Sequence, residues 1–365
     1  MTLSRREFAK LGALGLASQA VPSALAQASG RKIGFCVIGL GRIADHFLRG
    51  VKDSSVCQIT GLVSGHRDKA LKIAAQYGVP ASSIYSYEQM DAMRSNKAID
   101  AVYVALPNSM HAEYTIRSAK AGKHVLCEKP MSTSVADAQA MIAACDAAKV
   151  KLMIAYRLHY EPLTLKTIKL LRDGTFGEIQ AINSANGFNI GKNEWRKDKP
   201  LSGGGPLMDV GIYSLNAARY LTGEEPQIVT ASNSTIDKDG RFTTVEENTA
   251  WTMTFPSGVV ASCTTTYGGD MPGYYRVFCS KGWLQMDNFG YEDLRLTGSY
   301  RNSEGKRVAL DETNPERDPK QFTREADHLA ECILKNQTPK TSGEEGLRDM
   351  RYMKEIYRAA GVNNL

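Results

Sequence analysis

The chain has 365 residues, of which 42% are hydrophobic and 23% charged, the balance of a globular protein long enough for two domains. Its formal net charge is +6, with no basic block interleaved with aromatics, which argues against nucleic-acid binding. No run reaches the roughly 18 apolar residues of a membrane-spanning helix, so neither nucleic acid nor a membrane is expected as a partner.

Residues 1–28 read as an export signal. "SRREFAK" (Ser4–Lys10) sets twin arginines ahead of an uncharged apolar stretch, Leu11–Val21. "ALAQA" (Ala24–Ala28) then supplies small residues at signal-peptidase spacing, and cleavage after Ala26 or Ala28 fits equally. The pattern resembles a twin-arginine signal, which implies a periplasmic protein exported already folded. Without these residues the net charge is +4. Seven cysteines (36, 57, 127, 145, 263, 279, 332) show no CxxC pair. An odd number, several of them inside apolar runs, points to buried thiols rather than disulfides. The six histidines have no ligand spacing, so no metal is expected.

"KIGFCVIGLG" (Lys32–Gly41) is an apolar run ending in glycines, as a buried parallel strand would be. A helix is predicted over Arg42–Val51, a strand over Cys57–Ser64 and a helix over Asp68–Gly78. The alternation continues through Ile99–Pro107, His111–Gly122, Lys123–Pro130, Ser134–Lys149 and Lys151–Tyr156. Strands spaced by helices of this length imply right-handed βαβ units on a parallel sheet. Beyond residue 155 the texture changes. Helices are predicted over Pro162–Asp173 and Pro206–Leu221. Period-two strands follow over Gln227–Ile236, Asn248–Phe255, Val259–Tyr267, Tyr274–Cys279 and Trp283–Met286, with "FPSGVV" and "SKGW" as tight turns. Two helices close the chain. The fold class is therefore α/β: a Rossmann dinucleotide-binding domain over 31–155, then an α+β domain over 156–365 with a large, mostly antiparallel open sheet and C-terminal helices.

"GLGRIA" (Gly39–Ala44) is a G-x-G-x-x-A fingerprint at a strand-to-helix turn. Gly39 permits the tight turn, Gly41 lets backbone approach a pyrophosphate, and the helix N-terminus attracts its charge. Leu40, Arg42 and Ile43 belong to the same expected cofactor turn. An NAD enzyme usually carries an acid at the tip of the second strand. Here "SGHRDK" (Ser64–Lys69) offers Ser64, Gly65, Arg67 and Lys69 instead, which suits the 2′-phosphate of NADP.

"HVLCEKPM" (His124–Met131) ends a strand in two opposite charges. Ligands of an open α/β sheet bind at the carboxyl ends of its strands, so Glu128 and Lys129 are expected to line a cleft, with Pro130 restricting the backbone of Lys129. In "SGGGPLMDVGIYSLNAARYL" (Ser202–Leu221), Asp209 and Tyr213 are four apart and share a helix face. A tyrosine beside a lysine at the mouth of a cofactor cleft can move a proton to or from a sugar hydroxyl.

These motifs, with "LPNSMHAEY", "AGKHVLCEKPM", "MIAYRLHYEP", "EWR" and "GEEGLRD", resemble the glucose–fructose oxidoreductase, inositol dehydrogenase and rhizopine-catabolism (Gfo/Idh/MocA) family over nearly all of residues 31–360. Many members have histidine where Tyr213 stands. Tyrosine there, the "SGHRDK" loop and an export signal look most like the periplasmic glucose–fructose oxidoreductase branch. That resemblance implies a homodimer or homotetramer built through the C-terminal sheet, holding NADP tightly while one sugar, an aldose, reduces it and a second sugar reoxidises it. It makes Lys129 and Tyr213 catalytic and has Asp209 hold a sugar hydroxyl. Arg157, Trp195 and Arg196 would border the nicotinamide and substrate, and Leu106, Pro107, Asn108 and His111 would lie along the cofactor. His111 could equally be a satisfied helix-start histidine. Pro206 and Ile43 depart from the branch, which often has serine and an aromatic there. The competing readings are an aldose dehydrogenase that releases NADPH, a glycosidase using bound NAD, and a non-catalytic sugar sensor.

Overall fold

The computed structural model describes residues 30–290, 292–316 and 319–362; the expected export signal lies outside them. β1 (Ile33–Ile38) is buried along its whole length, as a strand with a covered layer on both faces must be. It is followed by α1 (Arg42–Lys52), β2 (Cys57–Val63), α2 (Arg67–Tyr77), β3 (Ile84–Tyr85), β4 (Ala101–Val104), α3 (His111–Lys120), β5 (His124–Glu128), α4 (Val135–Ala147) and β6 (Leu152–Ala155). The sheet order is β3-β2-β1-β4-β5-β6, and every pairing is parallel. The order reverses between β1 and β4, which places a crevice at their carboxyl ends.

α5 (Pro162–Arg172) starts at Glu161, whose carboxylate accepts from the amides of Leu163 and Thr164. The second sheet follows the order β14-β13-β12-β11-β7-β10-β9-β8. Its strands are β7 (Ile179–Gly187), β8 (Gln227–Ser234), β9 (Asn248–Thr254), β10 (Val260–Thr266), β11 (Met271–Cys279), β12 (Gly282–Asp287), β13 (Arg295–Arg301) and β14 (Arg307–Thr313). The β7–β10 pairing is parallel and the others are antiparallel. Between β7 and β8 the chain forms a short α6 (Lys199–Ser202), a π turn (Leu207–Gly211) and α7 (Ile212–Thr222). The single helix expected over Pro206–Leu221 is thus broken in character, and Asp209 lies inside the π turn, a feature common at functional sites.

β7, one of the two central strands of this sheet, was not expected. Its sequence, IQAINSANG, lacks an apolar alternation, because its inner face is tied by polar contacts: Ser184 Oγ donates to Ser214 Oγ of α7 at 2.8 Å. β3, β13 and β14 were also not expected. The closing helices α8 (Lys320–Leu334) and α9 (Gly343–Ala359), assigned with the second domain, lie against the first. Phe322 of α8 joins Ala44 and Phe47 of α1 in one apolar core. α9 packs on α4 and β6 and also reaches α7 and β8. Six of the seven cysteines are buried, Cys279 partly, and all are free thiols.

Candidate active site

The cofactor turn comes first. Gly39 has φ +87°, and a Cβ there would lie 2.5 Å from the Ala105 carbonyl, so only glycine lets β1 and β4 approach this closely. Gly41 faces space that holds no protein atom within 4 Å, and it heads α1 with no side chain capping the helix amides. An anion fits there without displacing anything. Leu40 is buried and Ile43 packs on the first-domain core. Lys69 crosses from α2 to this turn and donates to the Leu40 carbonyl at 2.5 Å. Ser64 is buried at the tip of β2, and its Oγ accepts from the His66 amide at 3.0 Å. Gly65 and Arg67 are exposed beside it. Arg42 and Lys69 line the same pocket beside the turn.

Beyond the turn, Leu106 packs on Gly39, and Pro107 opens the short turn Asn108–Met110. Asn108 leaves the first domain to donate to the Ser202 carbonyl at 2.8 Å, so it ties the domains together. His111 is fully buried, with Nδ1 2.8 Å from the Pro130 carbonyl and Nε2 2.9 Å from the Leu106 carbonyl. Burial lowers its pKa despite those two carbonyls. Of the two roles left open for His111, this is the structural one: it staples two strand exits. The glycine run before the π turn is also a packing device. A Cβ on Gly204 would lie 2.2 Å from the Tyr357 hydroxyl.

The chemistry-bearing side chains meet where β5 ends. Glu128 is buried and accepts from the Tyr103 hydroxyl at 2.5 Å and from the Lys129 amide at 3.2 Å; burial raises its carboxyl above the usual range. Lys129, whose bond to Pro130 is cis, donates from Nζ to the Asp209 carbonyl at 2.6 Å and to Asp209 Oδ1 at 3.1 Å. The same ammonium sits 4.7 Å from the centre of the Tyr213 ring. Asp209 Oδ2 accepts from the Tyr267 hydroxyl at 2.9 Å and pairs with Arg196 Nε at 3.1 Å. Burial pushes the Asp209 carboxyl up, but Lys129, Arg196 and the Tyr267 hydroxyl outweigh it and hold it below its ordinary value. Asp209 was expected to hold a sugar hydroxyl; in the fold both its oxygens engage protein groups, so it aligns Lys129 and Arg196.

Arg157 is 4% exposed and turned toward the tyrosine: Nη2 donates to Tyr213 Oη at 3.2 Å. Trp195 and Arg196 lie in a short 3-10 turn, with the guanidinium 4.8 Å over the indole. Glu194 links Arg196, at 3.3 Å, to Arg42 of the cofactor turn, at 2.8 Å. Charges of alternating sign therefore run from the cofactor turn through Glu194, Arg196 and Asp209 to Lys129. Tyr103 and Tyr267 were missed from sequence, because nothing local marks a tyrosine at a strand end as part of a site; Glu194 opens the quoted "EWR" but was given no role there.

Residues 33–156 match the model of the oxidoreductase family with an NAD-binding Rossmann fold, GFO_IDH_MocA, and residues 164–285 match that of the GFO/IDH/MocA C-terminal domain. The chain belongs to the Gfo/Idh/MocA oxidoreductase family. It is 31% identical over 342 residues to the D-xylose 1-dehydrogenase [NADP(+)] of Haloarcula marismortui, covering 91% of this chain and 92% of that one. The aldose–aldose oxidoreductase of Caulobacter crescentus, solved with glycerol, superimposes with a TM-score of 0.85 at 42% identity, covering 92% of this chain and 99% of that one. KijD10, a 3-ketoreductase from Actinomadura kijaniata solved with NADP, superimposes at 0.78 with 24% identity, covering 90% of this chain and 98% of that one, a likeness of fold alone.

Proposed function

We propose that this family member is a periplasmic, NADP-dependent sugar oxidoreductase in which tightly held NADP is reduced by an aldose, released as its lactone, and reoxidised by a second sugar without leaving the protein. The observation that carries this reading is the meeting of Lys129, Asp209 and Tyr213 at the crevice end, beside a glycine turn on which Lys69 is seated. NADP, when bound, would take the hydride from the sugar carbon and return it to the acceptor. The turn Gly39–Arg42 would hold its pyrophosphate, and Ser64, Arg67 and Lys69 its 2′-phosphate. Tyr213, as phenolate, would take the hydroxyl proton as the carbon loses hydride, and as phenol would give it back in the reductive half. Lys129, fixed by Asp209, would supply positive charge beside that transfer. Similarity to an aldose–aldose oxidoreductase supports the two-sugar cycle.

Similarity to a xylose dehydrogenase supports a second reading, in which NADPH leaves after each oxidation. The absorbance of the purified protein separates them. A stoichiometric nicotinamide band near 340 nm that appears with one sugar and bleaches with another, through gel filtration, establishes the retained cofactor; a band lost on filtration establishes exchange. For export, Arg5→Lys with Arg6→Lys should leave precursor in the cytoplasm, and unchanged periplasmic yield would defeat the twin-arginine route. Assembly is proposed through the open face of the second sheet. There the paired positions Val260, Ala181 and Phe278 lie side by side, with Val260 and Phe278 exposed. Light scattering on Val260→Glu, expected to lower the mass, tests that face.

A further inference from the structure

We propose that Arg157 is a positioning residue for the acid/base step: its guanidinium occupies the acceptor side of the Tyr213 oxygen and so turns the hydroxyl proton toward the crevice. The inference rests on Tyr213 being the proton carrier. A phenol oxygen accepts on one side and donates its single hydrogen on the other. Arg157 Nη2 donates to that oxygen at 3.2 Å, while the guanidinium carbon stands 5.3 Å from the ring centre. Arg157 has little freedom to do anything else. Its Nη1 donates to the Gly290 carbonyl and to Gln321 Oε1, each at 2.5 Å. Gln321 is itself buried at the start of α8, and its amide donates to the same Gly290 carbonyl at 3.3 Å. The fork of arginine is thus fully oriented by a carbonyl and an amide before any sugar arrives.

The surroundings decide where this charge acts. Tyr213 faces Lys129 from the end of β5, Arg157 from the turn after β6, and the ring of Phe289. Asp209, one turn back, is occupied by Lys129, Arg196 and Tyr267. Behind Arg157 lie two carboxyls, Glu128 and Glu325 of α8. Glu325 is fully buried, and neither of its oxygens has a hydrogen-bond partner among the described residues. Burial, reinforced by Glu128, raises the Glu325 carboxyl well above its usual range. Arg157 turns its Nη2 edge to the Tyr213 oxygen, so its charge stands where negative charge develops as the tyrosine proton departs. Gln321 and Glu325 sit one turn apart on α8, so a helix of the first-domain layer helps set the acid/base chemistry of the second.

The test is single-turnover reduction of protein-bound NADP by sugar across pH, for Arg157→Lys, Tyr213→Phe and the double variant. Arg157→Lys keeps a cation but loses the fork. Its rate should fall by about 10- to 100-fold, its half-maximal pH should move upward, and its NADP dissociation constant should stay within about twofold. In the Tyr213→Phe background the same change should cost less than about twofold further. Independent losses in the double variant, or a large fall in NADP affinity with an unmoved pH profile, would overturn the proposal and return Arg157 to the cofactor. Wild-type rates in Tyr213→Phe alone would instead sink the underlying reading of the tyrosine. If Arg157→Lys does not fold, Gln321→Leu loosens the clamp with the arginine in place. It should shift the pH profile in the same direction with a smaller loss, and an unshifted profile in folded Gln321→Leu overturns the proposal.

Discussion

On the first-domain wall of the crevice, the groups that face a ligand are main-chain amides of the Gly39–Arg42 turn and exposed side chains such as Arg42 and Arg67. On the opposite wall the working charges are sunk in protein. Arg157 is buried, and Asp209 is shared among Lys129, Arg196 and Tyr267. Exposed charges act through solvent and are individually weak, whereas buried ones depend on every partner being in place. The first wall should therefore set which cofactor binds and how well, with each residue contributing a modest share. The second should set the rate, with each residue close to indispensable.

The sharpest separation is expected at Tyr213. Tyr213→Phe removes the proton carrier and leaves the ring between Lys129, Arg157 and Phe289. Hydride transfer should fall by about 10²–10⁴, the usual contribution of a general acid/base, while NADP affinity measured by fluorescence titration stays within about twofold. A parallel collapse of NADP binding would erase the division between the walls. Lys129→Ala should also slow transfer. Its effect should be non-additive with Tyr213→Phe, since both act through one proton.

Burial should also make the chemical wall the acid-sensitive one. His159 follows Arg157 by one residue pair and is buried, and its Nε2 lies 2.7 Å from Asn216 Oδ1 on α7, the helix that carries Tyr213. Burial, helped by Lys340, lowers its pKa to about 4, against about 6.5 when unfolded. Between those values the unfolded chain binds a proton that the folded one refuses. The stabilisation is therefore present above about pH 6.5 and is lost as pH falls toward 4, amounting to about 3 kcal/mol at most. Denaturant unfolding should show stability dropping from pH 7 to 4.5 in the wild type and dropping less in His159→Gln. Equal slopes would mean that other groups carry the acid response.

The two walls were unequally legible in the sequence. The first is local: glycine turn, β2 tip and EKP corner each occupy one short stretch, and their roles follow from position at strand ends. Lys129, Asp209 and Tyr213 were recognised because two motifs carry them. What joins those motifs was not visible. Arg157, Gln321 and Tyr213 are brought together from three distant stretches by the packing of α8 and α7, and the contact Arg157 makes is set by that packing. The same applies to "GEEGLRD". Its Glu345 and Asp349 pair with Arg219 of α7 at 2.7 and 2.5 Å, anchoring the catalytic helix to α9. β7 escaped because polar residues, the buried Ser184 among them, interrupt its apolar ones and leave no hydrophobic period.

The smallest effect, and the one that probes the first wall, is expected at Ser64. Its hydroxyl accepts from the His66 amide at 3.0 Å, a bond that an aspartate carboxylate could also accept, so Ser64→Asp should leave the turn folded. The new charge would stand where strand-end acids bind the ribose 2′-hydroxyl of NAD. It would also stand beside the place proposed for the 2′-phosphate, among Arg67 and Lys69. Each charge-assisted hydrogen bond to that phosphate is worth roughly 1.5–3 kcal/mol, and repulsion from a neighbouring carboxylate would offset about one of them. NADP should therefore weaken by roughly 10- to 100-fold, whereas NAD, with no phosphate there, should hold its affinity or gain. Because the loop is solvent-exposed, salt should shrink the difference, and the single-turnover rate of whatever NADP remains bound should change little. Titration of both cofactors at two ionic strengths reads all of this at once. If the two dissociation constants move together, the loop does not read the phosphate. A rate that falls with affinity would mean that the first wall shapes the chemistry as well as the binding.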